Sequence, residues 1–187
     1  MDVKELLYIE IDKLGVDFIK TKIRENILNS EVIIKQILEG CTKSSSAQNL
    51  SHSDYVSLAE ALMHYLLAIT ITPSQRKINI KNIEVSILVP GANGLKNSGD
   101  KVIIIQFLKG EKIEYEHTVS DLLRIQPTLD NIWLVSYFPV VNQFQLKNFI
   151  INSASIGTNE SVLSFSKLMI QINDFLDRIN YTGFRII

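Results

Sequence analysis

The spacing of apolar residues changes from a helical to an alternating period part-way along the chain. Over residues 3–39, apolar positions recur at steps of three and four, which is typical of amphipathic helices. Gly15 and Ser30 are the predicted breaks, so we expect two or three helices in this segment. Ser30 is the predicted N-cap of a helix over residues 31–39, and Gly40 is its predicted C-terminal stop.

A polar segment separates these helices from a more apolar one. Residues 42–53 (TKSSSAQNLSHS) have no hydrophobic period, and we expect a flexible loop there. Residues 54–70 carry apolar side chains around most of a helix, with Ser53 as the predicted N-cap. Pro73 is expected to end this helix, because a proline ring disfavours helical geometry in the residue before it. Such an apolar helix is expected to be central to the fold.

From residue 77 the period becomes two, which indicates paired strands. Polar and apolar residues alternate over residues 77–89. The segment 91–99 (GANGLKNSG) is rich in turn-forming residues, and 101–108 (KVIIIQFL) is a continuous apolar run suited to a strand buried on both faces. We therefore predict a hairpin whose two strands are joined by the 91–99 loop.

Helix and strand patterns follow one another in the rest of the chain. A helix is predicted over residues 119–126, stopped by Pro127, and a buried strand over 131–138. The order strand, helix, strand predicts a parallel pair with a right-handed crossover. An amphipathic helix is predicted over 161–179, and residues 183–187 are a candidate edge strand.

Together these elements predict an α/β fold with a central mixed β-sheet flanked by helices and an N-terminal helical segment. A chain of 187 residues fits one domain. Within that single domain we distinguish a helical segment over residues 1–41, a flexible loop over 42–53 and a core over 54–187.

Composition and charge narrow the classes of function. Nineteen basic and twenty acidic residues leave a net charge of -1, so any contact with nucleic acid must be local. Cys41 is the one cysteine, which excludes an internal disulfide and favours a reducing compartment. The N-terminal residues do not resemble a secretion signal, and no apolar run approaches the ~18 residues of a bilayer span. We expect a cytoplasmic protein without a membrane partner.

One acidic residue lies inside the apolar 54–70 helix. Glu60 has apolar neighbours in sequence, so burial of its carboxylate would require a compensating partner. The alternatives are a position at the solvent edge of the helix or a pair with His64, one turn later.

The two predicted central strands also carry polar residues. The first, IEVSILVP over residues 83–90, contains Glu84 and Ser86, which strict alternation would place on one face. The second contains Gln106, and Lys109 follows it. Because a buried glutamine needs hydrogen bonds, a polar pocket near Glu60, Ser86 and Gln106 is expected even without catalysis.

The order of helix, hairpin, helix and strand over residues 54–138, with these polar positions, resembles the PD-(D/E)XK (restriction-endonuclease-like) nuclease superfamily. In that family an acidic residue of the early helix, an aspartate on the second strand and a Glu-x-Lys on the third bind Mg²⁺ and activate a water molecule for phosphodiester cleavage. The resemblance thus implies oxygen ligands for a hard cation, with a cation or base beside the water.

Carried over to this chain, the family pattern gives a metal set of Glu60, Glu84 and Gln106 for Mg²⁺ or Mn²⁺, with Lys109 as the fourth catalytic candidate. The chain departs from the pattern at three positions, because Ser86, Gln106 and Leu108 stand where Asp, Glu and Lys are expected. Glu84 would supply the missing carboxylate from a displaced position. Lys109 is one residue late and should face the other way unless a bulge re-aims it.

Basic residues near the ends of the predicted hairpin are candidates for nucleic-acid binding. Arg76, Lys77, Lys81 and Lys101 could contact phosphates, although scattered surface lysines are ordinary. Three functions therefore follow from the residues and the resemblance. The first is a nuclease-fold protein with a degenerate, non-catalytic site that acts in nucleic-acid-associated binding or in assembly, with a homo-oligomer as a candidate state. The alternatives are a weak Mg²⁺-dependent endonuclease and a regulatory domain that binds a small ligand.

Overall fold

The computed structural model describes residues 3–43, 50–97, 99–110, 112–140, 144–155 and 161–183. In chain order the helices and strands are α1 (Val3–Leu14), α2 (Val16–Glu25), α3 (Asn29–Lys43), α4 (His52–Ile69), β1 (Gln75–Ile80), β2 (Ile83–Val89), α5 (Asn93–Asn97), β3 (Ile103–Phe107), α6 (Lys112–Ile125), β4 (Ile132–Ser136), β5 (Lys147–Ile150), β6 (Val162–Ser164) and α7 (Leu168–Arg178). Short 3₁₀ turns lie at Gly99–Lys101, Leu129–Asn131, Ser153–Ser155 and Phe165–Lys167.

These elements form two compact units. The helical unit comprises Met1–Thr72 and Ser166–Ile187, and the sheet unit comprises Pro73–Phe165. The single domain over residues 1–187 stays a prediction. In the described part of the chain, none of the helices is both long and apolar enough to cross a bilayer.

The helical unit begins with three helices, where the hydrophobic period predicted two or three. Gly15 separates α1 from α2 and has φ +84°, a backbone conformation that side chains with a Cβ rarely adopt. In the interior of the unit, α1 contacts α3 and α4, and α3 contacts α7. The buried side chains are apolar and recur with the helical period, for example Leu7 and Ile11 of α1 and Ile34 and Ile37 of α3.

The predicted ends of the third helix are wrong. Helix α3 begins at Asn29, and Ser30 lies inside it, fully buried, where its hydroxyl donates to the Ile27 carbonyl at 2.6 Å. The helix also continues through Gly40 to Lys43. A Cβ at position 40 would overlap the carboxylate of Glu10 on α1, so the glycine serves close helix packing here instead of terminating the helix.

The predicted cap of α4 is wrong by two residues. Ser51, not Ser53, is the N-cap: its hydroxyl accepts the Asp54 N–H at 3.2 Å, and the Asp54 carboxylate accepts the Ser51 N–H at 2.8 Å. This reciprocal pair is a capping box. Of the predicted loop over residues 42–53, the first two belong to α3 and residues 44–49 lie outside the described residues.

The sheet unit contains a six-stranded mixed sheet with the order β1-β2-β3-β4-β5-β6. Strands β1 to β3 are antiparallel, and β3 to β6 are parallel. The predicted antiparallel pairing of β2 with β3 and the predicted parallel pair are therefore confirmed, as is the α/β class with a mixed sheet. The connection over residues 91–99 is not a simple turn, because it contains the short helix α5. Helix α6, which connects β3 to β4, begins seven residues before the predicted start at residue 119.

The sequence patterns missed two strands near the C-terminus. Strand β5 has four residues and β6 has three, which is too short for a hydrophobic period to be recognised. The helix predicted over 161–179 is consequently shorter, because its first residues form β6 and α7 begins at Leu168. The candidate edge strand over 183–187 lies, after its first residue, outside the described residues.

One face of the sheet is covered by an apolar cluster that includes α6. Its fully or nearly fully buried members are Ile83, Val85, Leu88, Val102, Ile104, Leu108, Val119, Leu122, Ile125, Ile132, Leu134 and Leu146. We call this set the α6-side core. Ile78 and Ile80 of β1 are partly buried and pack against it.

Candidate functional site

Ser86 and Gln106 lie opposite each other where β2 and β3 stop pairing through their backbones. The neighbouring backbone pair in the ladder is Ile87 with Ile105. At the next position the Gln106 Oε1 accepts the Ser86 N–H at 3.1 Å, and the Ser86 Oγ accepts the Phe107 N–H at 3.3 Å. The two side chains thus satisfy backbone groups that the diverging strands leave without ladder partners.

Two of the three residues predicted to form a polar pocket, Ser86 and Gln106, form hydrogen bonds to the protein backbone. Ser86 is 7% exposed and Gln106 is partly buried, so both need hydrogen-bond partners, and each finds one in the backbone of the opposite strand. Both positions are those at which the family resemblance expects carboxylates.

Glu60 lies in the helical unit, on α4, and is buried with an exposure of 6%. Its Oε1 is 4.0 Å from the Nε2 of His64, one helical turn later. The position at the solvent edge of the helix, one of the two alternatives for this residue, is therefore wrong. The other alternative, a contact with His64 one turn later, is the one that the structure shows.

The side-chain alternation of β2 is interrupted between Val85 and Leu88. Both residues belong to the α6-side core, although strict alternation would place positions three apart on opposite faces. The interruption coincides with Lys77 on the neighbouring strand, which has φ +47° and interrupts the regular pairing of β1 with β2. Counting by alternation across this point is therefore invalid.

Glu84 consequently lies on the face opposite the α6-side core, because it stands between two members of that core, Ile83 and Val85. Gln106 lies on the face of the core, between Ile104 and Leu108. The expectation that Glu84 replaces the carboxylate missing at Ser86, together with Gln106 as a second ligand, finds no support in this geometry. Glu84 is exposed.

Lys109 follows the end of β3 and is exposed. Ile104 and Leu108, four positions apart, both belong to the α6-side core, so alternation continues through this strand without a bulge. Lys109 lies two positions beyond the last residue of β3, where strand alternation no longer assigns a face, so the direction expected for it stays a prediction.

The donor atoms on strands β1, β2 and β3 do not fit the Mg²⁺ or Mn²⁺ centre that the family resemblance implies. In residues 3–43, 50–97, 99–110, 112–140, 144–155 and 161–183 there is no group of three or more histidine, cysteine, aspartate or glutamate side chains arranged to hold a metal ion. Strands β1, β2 and β3 contain a single carboxylate, Glu84. A hard divalent cation needs several oxygen ligands, which these strands do not supply together.

The four basic candidates are exposed but lie in two places. Arg76 and Lys77 belong to β1, and Lys81 lies in the turn between β1 and β2. Lys101 lies in the 3₁₀ turn that precedes β3, at the other end of β2. A strand of this length separates the turn from Lys101 by roughly 20 Å, so Lys101 is apart from Lys81, whereas Arg76 pairs with Ile87 towards the other end of β2.

Two buried amides that the sequence did not single out hold the loop before β3. The Nε2 of Gln126 donates to the carbonyls of Gly99 at 2.9 Å and Val102 at 2.7 Å, and its Oε1 accepts the Thr128 N–H at 3.0 Å. The Nδ2 of Asn131 also donates to the Gly99 carbonyl, at 3.1 Å. The bonds to Gly99 and Val102 join residues 24 to 32 positions apart, a separation at which the sequence carries no local signal.

No protein-family model matches the chain, and neither does any curated protein. Solved structures do match it. The restriction endonuclease PspGI in complex with substrate DNA is 14% identical and has a TM-score of 0.65, and the match covers 95% of this chain and 94% of that chain.

Two structures of metal-depleted Ecl18kI also match. One is in complex with uncleaved, modified DNA and has a TM-score of 0.56, and the other is in complex with uncleaved DNA and has a TM-score of 0.54. Each is 12% identical, and each match covers 98% of this chain and 82% of that chain. The chain has a restriction-endonuclease-like fold.

Proposed function

We propose that this protein binds DNA and does not cleave it, and that the positions of the nuclease centre have a structural role. The observation that carries the proposal is the pair of hydrogen bonds made by Ser86 and Gln106. Where a nuclease needs carboxylates aimed at a metal, two neutral side chains hold the backbones of β2 and β3 together. The opposite orientation of Glu84 supports the same conclusion.

The choice of DNA as the partner rests on the fold and on local charge. The similar structures, PspGI and Ecl18kI, are described as complexes with DNA. The net charge of this chain is -1, so binding requires a local basic surface. Arg76, Lys77 and Lys81 are exposed on β1 and its turn and supply that surface.

Cleavage is tested with single- and double-stranded DNA in Mg²⁺ and in Mn²⁺. We expect intact DNA and no rise in the melting temperature with Mn²⁺, since a metal that bound the native state would raise it by mass action. The matched variants are Glu60→Gln and Glu84→Gln. Metal-dependent cleavage that both variants abolish would overturn the non-catalytic role and favour the weak endonuclease.

Binding is tested by fluorescence anisotropy with a labelled duplex at several salt concentrations. Each lost phosphate contact should reduce the slope of log K against log salt by about 0.9. We expect Arg76→Gln and Lys81→Gln to reduce affinity and slope. Arg124→Gln, on the exposed surface of α6, is the matched control and should change neither. Equal effects of all three variants would contradict the assignment of the DNA-binding surface to β1 and its turn. No binding of DNA by the wild-type protein would contradict the proposed function itself.

The homo-oligomer stays a prediction. Light scattering of the purified chain, with and without duplex DNA, gives the mass of each species and so shows whether the protein is a monomer or a homo-oligomer.

A further inference from the structure

Near its turn, the hairpin formed by β1 and β2 has one face packed against protein and one face exposed; towards the other end of β2, Ile87 and Val89 are fully buried. Ile78 and Ile80 of β1 pack on the α6-side core with their partners Val85 and Ile83 of β2. The intervening residues must therefore lie on the other face. We call β1, the turn at residues 81–82 and residues 83–85 the ribbon.

Three polar residues share the exposed face of the ribbon. Asn79 and Glu84 are direct partners in the ladder, and each stands between two residues of the packed face. Arg76 is the partner of Ile87, which lies on the face opposite Leu88 of the α6-side core. Because alternation is interrupted at Lys77, Arg76 joins Asn79 and Glu84 on one face. All three are exposed.

The end of the ribbon is narrow. Lys81 and Asn82 both have positive φ, +50° and +66°, and connect the strand ends Ile80 and Ile83, which are ladder partners. This is a two-residue turn of the kind that joins the tightest hairpins. Strand β1 is an edge of the sheet. The ribbon is thus an exposed two-stranded edge, and the major groove of B-DNA, ~12 Å wide, accommodates a two-stranded ribbon.

The charges of the ribbon differ from those of the whole chain. Arg76, Lys77 and Lys81 are positive and Glu84 is the one acidic residue, so the ribbon carries +2 while the chain carries -1. Such a surface attracts a polyanion. The carboxylate of Glu84 lowers the affinity of this surface for phosphates. Glu84 therefore favours binding only where a hydrogen-bond donor of the partner faces its carboxylate.

The side chains on the exposed face match the donors and acceptors of base edges. Arginine pairs with the O6 and N7 of guanine, asparagine with the N6 and N7 of adenine, and glutamate accepts from the N4 of cytosine. Asn79 and Glu84 lie side by side with Cβ atoms about 5 Å apart. Arg76 is three residues from Asn79, roughly 10 Å along the strand. The set spans about three base-pair steps at 3.4 Å each.

We propose that the ribbon enters the major groove of double-stranded DNA and that Arg76, Asn79 and Glu84 contact base edges and determine sequence preference. This inference rests on the proposed function of DNA binding, and it specifies the element, the groove and the residues that would discriminate between sequences. It also gives Glu84 a role other than that of a metal ligand. Duplex RNA is disfavoured, because its major groove is deep and narrow.

The experiment is selection of bound duplexes from a random-sequence library, followed by sequencing, for the wild-type protein and the variants Asn79→Ala and Glu84→Gln. We expect the wild type to enrich a short motif. Each variant should lose discrimination at one base pair of that motif by about tenfold, which is the usual value of a good base contact. Glu116→Gln, exposed on α6, is the matched control and should retain the whole motif.

Different outcomes separate the inference from the proposed function. DNA binding without any motif, or a motif that both ribbon variants retain, overturns the inference and leaves DNA binding intact. Binding of an RNA duplex as tight as that of DNA also overturns it. No binding of DNA by the wild type overturns both. A melting curve of each variant checks that these exposed substitutions leave the fold unchanged.

Discussion

Two polar pairs in the sheet unit, only a few residues apart, differ in what their atoms contact. The Ser86–Gln106 pair bonds to the backbones of β2 and β3, at the point where those strands diverge. The Asn79–Glu84 pair lies across β1 and β2 on an exposed face. By the family resemblance the first pair occupies positions where carboxylates are expected, and in our proposal the second pair contacts DNA. Position in a fold therefore does not by itself give a residue its role.

The difference has a simple physical origin. A buried amide or hydroxyl must find a hydrogen-bond partner within the protein, because leaving it without one costs about 1–3 kcal/mol. An exposed side chain exchanges bonds with water and remains available for a ligand. The comparison therefore predicts that substitutions in the buried class reduce stability, whereas substitutions in the exposed class reduce binding.

The largest loss of stability is expected at Gln126, whose side-chain amide is fully buried and bonded to backbone groups. Gln126→Leu removes three hydrogen bonds and leaves the Thr128 N–H and the Val102 carbonyl without these partners. We expect a loss of about 3 kcal/mol in the free energy of unfolding, measured in urea. Glu116→Gln is the control. A loss no larger than that of the control would break the link between burial and stability.

A smaller loss is expected at the Ser86–Gln106 pair. Gln106→Leu removes the acceptor of the Ser86 N–H, and we expect a loss of about 2 kcal/mol in the free energy of unfolding. A double-mutant cycle with Ser86→Ala measures the coupling between the two side chains. If Gln106→Leu left stability unchanged, the structural role assigned to this pair would be wrong.

The capping box of α4 separates the effect of burial from that of hydrogen bonding, because its residues are bonded but mostly exposed. Ser51→Ala should lower the free energy of unfolding by about 1 kcal/mol. The Ser51 hydroxyl, and next its backbone N–H, donate to the Asp54 carboxylate and lower its pKa.

A carboxylate with a lowered pKa stabilises the folded state above its ordinary pKa, about 4, and this contribution is lost as the pH falls through the lowered value. Stability should therefore decline on acidification below about pH 4, and the decline should be shallower in Ser51→Ala. Urea unfolding at a series of pH values measures it. Identical pH profiles would show that the bond contributes nothing.

The smallest effect on stability is expected on the exposed face of the ribbon. Asn79→Ala and Glu84→Gln should change the free energy of unfolding by less than about 0.5 kcal/mol, as is usual for surface positions. The same two variants are those expected to alter the DNA motif. A large loss of stability in either variant would show that the substituted side chain has a structural role like that of Ser86 and Gln106.

Much of the fold was predictable, because long periodic segments carry their own signal. The helical start, the hairpin and the helix between β3 and β4 were predicted from apolar spacing and are present. Some errors fall where contacts between distant residues decide. Gly40 continues a helix because Glu10 of another helix packs on it. The cap of α4 is a local error: Ser51 is the cap in place of Ser53, because Ser51 forms the capping box with Asp54, three residues along the chain.

The candidate site was less predictable than the fold. The sequence showed that Ser86, Gln106 and Leu108 stand where the family has Asp, Glu and Lys, and this observation already weakened the case for catalysis. It could not show that the alternation of β2 is interrupted, because an apolar run that is buried on both faces carries no period from which to read a face.

By itself, then, the amino-acid sequence determined the order of elements and the residues missing from the nuclease pattern, since both depend on local composition and spacing. Only the tertiary structure decided which polar side chains are bonded to backbone and which are exposed. Hydrogen-bond saturation and burial depend on contacts between strands that lie about twenty residues apart in the chain. Those contacts place Ser86 and Gln106 inside the sheet. The pairing of β1 with β2 places Arg76, Asn79 and Glu84 on the exposed face of the ribbon.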